Sequence, residues 1–329
     1  MLLAVDVHKR VPVLCLAQSI RQTIAEVQSS PRRDRNEVCA VRPWQAAHTS
    51  FRQDTSRGYE SLNMEKPQIL LTNDDGIRSP GLWAAAKSLS EIGYVYVVAP
   101  RLQSSGAGRS LPSQSDGVIQ VEQMQVNGKV WDVHALGGTP AQAVQHGILE
   151  VMPRRPDLVV SGINYGENVG TGVTISGTVG AALEAAAHGI PALAASLETT
   201  VDEHLSYSDK VDFTVAAYFT AYFARILLEH RMPPDVHVLK VDVPSDATQN
   251  TAWELTRLST NRYFLPVAPQ RRSWDVPARV GYRSTDELES EPPGTDVYAL
   301  RIQRRVAVTP LSLDLTSRVD FDALKKSLE

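Results

Sequence analysis

The tetrapeptide Asn73-Asp74-Asp75-Gly76 sets two adjacent carboxylates directly after the apolar run Ile69-Leu70-Leu71. Such a pair at the mouth of a buried strand invites a hard divalent cation, because Mg²⁺-type ions are held by one or two carboxylates while water fills the other positions. Asn, Asp and Gly also make ordinary turns, so the chemistry depends on what other segments add. Ser104-Ser105-Gly106-Ala107-Gly108 adds hydroxyls, one of which could complete a metal site. The stretch from Ser161 to Gly170 adds the amide oxygen of Asn164 as a neutral ligand; its glycines, with Asn168 between them, suit a loop wrapped around an anion. Ser176-Gly177-Thr178 stands before Val179-Gly180-Ala181-Ala182-Leu183-Glu184, so hydroxyls and unpaired backbone N–H groups gather at a helix start. That is phosphate-binding chemistry, drawing on four free amide donors and the positive end of the helix dipole. A plain Ser or Thr N-cap is the competing account of the same residues.

These groups can act together only if the chain brings the ends of several strands to one edge. From Gln68 onward, short β-branched runs alternate with helical patterns: a strand over Ile69-Thr72, a helix over Leu82-Ile92, a strand over Tyr94-Ala99. This βαβ rhythm predicts an α/β fold with a doubly wound, mainly parallel sheet. Val118-Val126 and Lys129-His134, joined at Asn127-Gly128, read as a hairpin. The alternation resumes with a helix over Thr139-Leu149, a strand over Leu158-Ser161, a helix over Thr178-His188 and a strand over Ala192-Ser196. A helix over Ser208-Glu229 and a strand over Val236-Val241 follow. The Pro-rich, charged sequence Pro266-Pro293 breaks the pattern and is read as an arm. Val306-Thr309 is a last strand, and a short amphipathic helix begins after Asp320. In this frame every chemical group above falls at the carboxyl end of a strand, where open α/β sheets bind ligands.

The 329 residues are 43% hydrophobic and 21% charged, enough for a sizeable core. A formal charge of −4 gives no extended basic surface, which argues against nucleic acid as a partner and for a small substrate. No run reaches the length of a membrane span, and Met1-Leu2-Leu3-Ala4-Val5 is interrupted at once by Asp6, His8, Lys9 and Arg10. The two cysteines, Cys15 and Cys39, lie outside the main body, so a reducing, cytoplasmic setting is expected. Residues 1–63 are polar with little periodicity and are expected to be a poorly ordered extension; Met64, directly before the first strand, is the expected native start. Residues 64–260 form the expected core, and 261–329 the arm, last strand and tail. The eight histidines show no zinc spacing, no Gly-x-x-x-x-Gly-Lys loop occurs, and no dinucleotide fingerprint follows the first strand.

From Gln68 to about Thr316 the chain resembles the SurE family of survival-protein nucleotidases. The resemblance rests on Ile69 to Ile77 with Pro80-Gly81, on Val97-Val98-Ala99-Pro100 leading to Ser105-Gly106, and on Val159 to Asn164 with Gly166, Asn168, Gly170 and Ser176-Gly177-Thr178. Gly294-Thr295-Asp296 and Thr309-Pro310-Leu311 resemble its C-terminal pattern. It implies a Rossmann-like fold and a metal-dependent phosphatase acting on nucleoside 5′- and 3′-monophosphates, with some members also trimming short polyphosphate. It further implies one divalent ion per subunit, Mg²⁺ or Mn²⁺, on Asp74, Asp75, Ser105 and Asn164, with phosphate against Asn168, Ser176, Gly177 and Thr178. One of the two aspartates would accept a proton from the attacking water. A homodimer or homotetramer built through the C-terminal arm is implied as well. Arg101, Gln142 and Ile175 depart from the pattern, which has Asp, Asp and Tyr there. Two other readings of the crevice are a haloacid-dehalogenase-type phosphotransferase, which needs Asp-x-Asp where this chain has adjacent aspartates, and a non-catalytic nucleotide-binding module.

Overall fold

The computed structural model describes residues 66–204, 208 and 210–329. The expectations for residues 1–63 and for Met64 as native start lie outside these residues. Buried β-branched and aliphatic runs form the centre of a nine-stranded sheet in the order β3-β4-β2-β1-β5-β6-β7-β11-β8. The strands are β1 (Gln68–Thr72), β2 (Tyr94–Pro100), β3 (Ile119–Val126), β4 (Lys129–Leu136), β5 (Leu158–Tyr165), β6 (Ala192–Leu197), β7 (Val238–Val243), β8 (Trp253–Leu255) and β11 (Val306–Leu311). From β4 through β7 every neighbouring pair is parallel. β3 pairs antiparallel with β4, and β11 antiparallel with β7. The mixed edges therefore flank a parallel centre that is covered on both faces, which is why its strands are apolar on both sides.

The covering helices are α1 (Pro80–Leu89), α2 (Pro140–His146), α3 (Gly177–Ala187) and α4 (Thr214–Glu229). Two apolar clusters occupy the two faces. Leu71, Leu82, Val97, Ile163 and Phe219 lie in one, and Leu70, Val98, Val144, Val179 and Leu193's neighbour Ala194 in the other. The alternation of Leu70 and Leu71 between faces follows from the two-residue period of a strand.

Several boundaries differ from the sequence expectation. Helix α4 begins at Thr214 rather than Ser208, because Asp212 Oδ1 accepts the Thr214 amide at 2.8 Å and fixes a turn there. Helix α2 ends at His146 and continues as a wider helical turn over Gly147–Val151. β5 runs on to Tyr165, so Asn164 belongs to the strand end and not to a following loop. The Pro266–Pro293 excursion contains all of β10 (Gly281–Ser284) and half of β9 (Phe264–Val267), which pair as a two-stranded antiparallel hairpin. β8 carried too few residues to be readable beforehand. The tail ends in helix α5 (Phe321–Leu328), which buries none of its residues. Among the described residues no helix is long and apolar enough to cross a membrane.

Candidate functional site

The chain leaves β1 for β2 on one side of the sheet, while β5 flanks β1 on the other. The gap between the carboxyl ends of β1 and β5 is thus a topological switch point, the usual ligand crevice of such sheets. Asp74 and Asp75 follow β1, and Asn164 stands near the end of β5. Asn73 closes the turn that presents the aspartates: its amide donates to Gly76 O and its Oδ1 accepts from Gly76 N, both at 3.1 Å.

Both carboxylates are buried, Asp74 at 4% and Asp75 at 1% exposure. Thr178 Oγ1 donates to Asp74 Oδ1. Gly177 is required here, since a Cβ on it would lie 2.6 Å from Asp74 Cβ. The start of α3 therefore abuts Asp74 directly. Asp75 accepts from the Tyr165 amide at 3.1 Å and from Gln103 Nε2 at 3.2 Å; the same Gln103 nitrogen donates to His204 O at 2.7 Å. Burial raises the Asp74 carboxyl above its ordinary range. Burial, and then the charge of Asp74, push Asp75 well above it. Two buried neighbouring carboxylates cannot both ionise at ordinary cost without a cation between them.

Asn164 commits both amide hydrogens, to Tyr165 O at 3.1 Å and Gly166 O at 2.6 Å. Its carbonyl oxygen has no donor among the described residues. The pairing of β5 with β6 shifts register between Ser161 and Asn164, which turns this side chain out of the regular ladder. The loop that carries Ser105 is tied across the site, with Ser104 N donating to Asp74 O at 2.7 Å and Gly108 N to Ile175 O at 3.0 Å. Ser105 itself is exposed.

The residues expected to bind phosphate are differently occupied. Ser176 Oγ caps α3 by accepting from Val179 N at 3.1 Å, the plain cap reading of that serine. The Thr178 hydroxyl is engaged by Asp74. Asn168 N donates to Asp242 at 2.7 Å and its side-chain amide to Ser196 at 2.9 Å. Asp242 belongs to a fully buried cluster: Lys240 Nζ bonds both Asp242 and Asp296, the latter at 3.1 Å, and Asp296 accepts from Gly170 N at 2.9 Å. This cluster pins both ends of the Asn168–Gly170 segment. A charged Lys240-x-Asp242 inside an apolar strand was a readable anomaly in the sequence; Gln103 carried no signal.

Two of the three departures from the family pattern have structural uses. Arg101 pairs with Asp116, and Gln142 completes the capping box of α2 with Thr139. Ile175 is 63% exposed beside the site.

Among the described residues no group of three or more His, Cys, Asp or Glu gathers around one point. Two carboxylates plus a donor-free amide oxygen, all oxygen ligands, nevertheless fit a hard cation that keeps several waters. A cavity of about 500 Å³ opens at the opposite edge, between the amino ends of β6 and β7 and the end of α4, away from all of these residues.

Fold and site together define a Rossmann-like α/β protein with a buried pair of adjacent aspartates at the switch point of its sheet. Residues 69–264 match the family described as Survival protein SurE. The chain is 44% identical over 262 residues to the 5′-nucleotidase SurE of Thermococcus gammatolerans, spanning 79% of this chain and 96% of that protein. It is likewise 44% identical over 260 residues to the 5′-nucleotidase SurE of Archaeoglobus fulgidus, spanning 78% and 96%. The crystal structure of the SurE protein from Aquifex aeolicus superposes with a TM-score of 0.62 at 30% identity, covering 80% of this chain and 100% of that one. The chain belongs to the SurE family.

Proposed function

We propose that this protein is a metal-dependent phosphomonoesterase that hydrolyses nucleoside 5′-monophosphates to nucleoside and phosphate. The observation that carries the reading is the buried Asp74–Asp75 pair, set against the start of α3 at the switch point, in a chain whose relatives are named 5′-nucleotidases. Asp74, Asp75, Asn164 and Ser105 would hold one Mg²⁺ or Mn²⁺ per subunit. When bound, the ion supplies charge neutralisation on the phosphoryl oxygens and an acidified water. Thr178 orients Asp74, while Gln103 and the Tyr165 amide orient Asp75. The helix start at Ser176, Gly177 and Thr178, with Asn168, receives the phosphate in this reading, through backbone amides and the Ser176 hydroxyl hydrogen while the Thr178 hydroxyl stays on Asp74, and in-line displacement at phosphorus releases the nucleoside hydroxyl. One aspartate accepts the proton of the attacking water.

The family resemblance extends to 3′-monophosphates and short polyphosphate, and both belong in the assay. Residues 261–329 are read as an arm and tail for a homodimer or homotetramer, supported by the exposure of Trp274 at 92% and of Leu328 at 79%. A cytoplasmic location accords with the cysteine usage. The test is phosphate release from 5′-AMP, 3′-AMP and tripolyphosphate with Mn²⁺ or Mg²⁺, then with EDTA. The expected result is EDTA-sensitive release from 5′-AMP that Asp75→Asn abolishes without unfolding the chain. Release that survives EDTA, or an active Asp75→Asn variant, would contradict the reading.

A further inference from the structure

His204 follows β6 by way of the short helical turn Val201–Glu203 and is buried. Both strands of the β9–β10 hairpin meet its ring. Nδ1 of His204 lies 3.0 Å from the hydroxyl of Tyr282 on β10. The imidazole stacks on the Tyr282 ring, with centroids 5.9 Å apart, and meets Phe264 of β9 edge to face at 5.8 Å. Phe264 and Tyr282 also pack on each other at 5.5 Å, so the three rings form one unit with the hydrogen bond at its centre.

From His204 two routes lead to the aspartate site. The first runs through its backbone. His204 O accepts from Gln103 Nε2 at 2.7 Å, and the same nitrogen donates to Asp75 Oδ1 at 3.2 Å. A carboxamide nitrogen carries two hydrogens, one for each acceptor, so the bond to His204 keeps the amino side of Gln103 turned toward Asp75. The second route runs through the ring. A Cβ on Gly166, whose φ is +92°, would fall 2.3 Å from His204 Nε2, so the imidazole lies directly on the Gly166 backbone. Gly166 O in turn accepts from Asn164 Nδ2 at 2.6 Å. Burial holds the His204 ring below its ordinary titration range, so it is neutral near pH 7 and its contact with Tyr282 does not depend on charge.

We infer that His204 and Tyr282 are positioning residues: by gripping His204, the base of the β9–β10 hairpin holds Gln103 on Asp75 and Gly166 against Asn164, and so sets two of the oxygen groups that receive the cation. Neither residue touches the reacting atoms. Groups that orient a metal ligand from behind govern affinity nearly as strongly as the ligand itself. Trp274, in the loop between β9 and β10, is 92% exposed and stands outside this series of contacts. The inference rests on the nucleotidase reading for its cation, but the contacts that carry it belong to the protein alone.

The test has one arm without metal and one with it. In the metal-free full chain, labelled with ¹⁵N at the glutamine side-chain amides, the NMR signal of Gln103 is identified by its loss in Gln103→Leu. Tyr282→Ala is expected to move that signal toward the position of a solvent-exposed glutamine, and Trp274→Ala to leave it in place. A signal unmoved by Tyr282→Ala, or moved as far by Trp274→Ala, overturns the inference. In the second arm Mn²⁺ affinity is read from the electron paramagnetic resonance of the free ion. Tyr282→Ala is expected to bind Mn²⁺ about tenfold more weakly than the unsubstituted chain, the low end for a group that holds a metal ligand in place. Equal affinities overturn the inference as well. An unsubstituted chain that binds no Mn²⁺ contradicts the nucleotidase reading instead, and the Gln103 signal then decides the positioning roles by itself. Tyr282 is only half-buried, so its truncation leaves the core intact.

Discussion

Protonation of the buried Glu167 is coupled to the stability of the fold. Its carboxyl sits at about 7 in the folded chain against 4.5 when free, with burial as the main cause. The unfolded chain therefore loses its proton first as pH rises, and the folded state becomes less favoured between about 4.5 and 7. Below that window both states are protonated and the effect vanishes. A shift of this size corresponds to on the order of 3 kcal/mol. Denaturant unfolding of Glu167→Gln should show a flatter decline across this window than the unsubstituted chain; identical slopes would mean that Glu167 is not the group responsible. At this scale the sequence disclosed the residues with distinctive chemistry and hid those that serve them. Asp74 and Asp75 stand out because adjacent acids after an apolar strand are unusual. Gln103 and His204 do not, since their roles arise from contacts across 28 and 101 residues of chain. Thr178 was legible as part of a helix start, but its bond to Asp74 was not, because a hydroxyl serves a cap, a phosphate or a carboxylate equally well.

At the scale of elements, the site depends on how firmly the Asn168–Gly170 segment is tied to β7. Lys240 is fully buried between Asp242 and Asp296, and these carboxylates hold the amides of Asn168 and Gly170. Lys240→Met leaves two carboxylates buried without their cation. The expected loss is about 3–5 kcal/mol in chemical denaturation. A loss under 1 kcal/mol would show that the cluster is dispensable. Strands and helices of the parallel centre were legible because period and β-branching identify them locally. Boundaries were less so. β7 begins and ends two residues later than expected, since a strand buried on both faces has no alternation to mark its ends. The start of α4 was missed because Asp212 overrides the helix propensity of the residues before Thr214.

Among the described residues, the parallel centre buries its apolar side chains on both faces, whereas the hairpin tip and α5 leave apolar surface uncovered. Trp274, Phe321 and Leu328 are each more than half exposed. An amphipathic helix that buries nothing in its own chain gains stability by packing elsewhere. Truncation after Thr316 should lower the subunit number seen by sedimentation equilibrium while leaving the core folded; an unchanged assembly would remove the tail from the interface. This part of the fold was poorly legible, because the Pro-rich arm has no period from which to read a strand. Crystals grown with Mn²⁺ should show an anomalous difference peak in contact with Asp74, Asp75, Ser105 and Asn164. A peak elsewhere, or none at saturating Mn²⁺, would contradict the account.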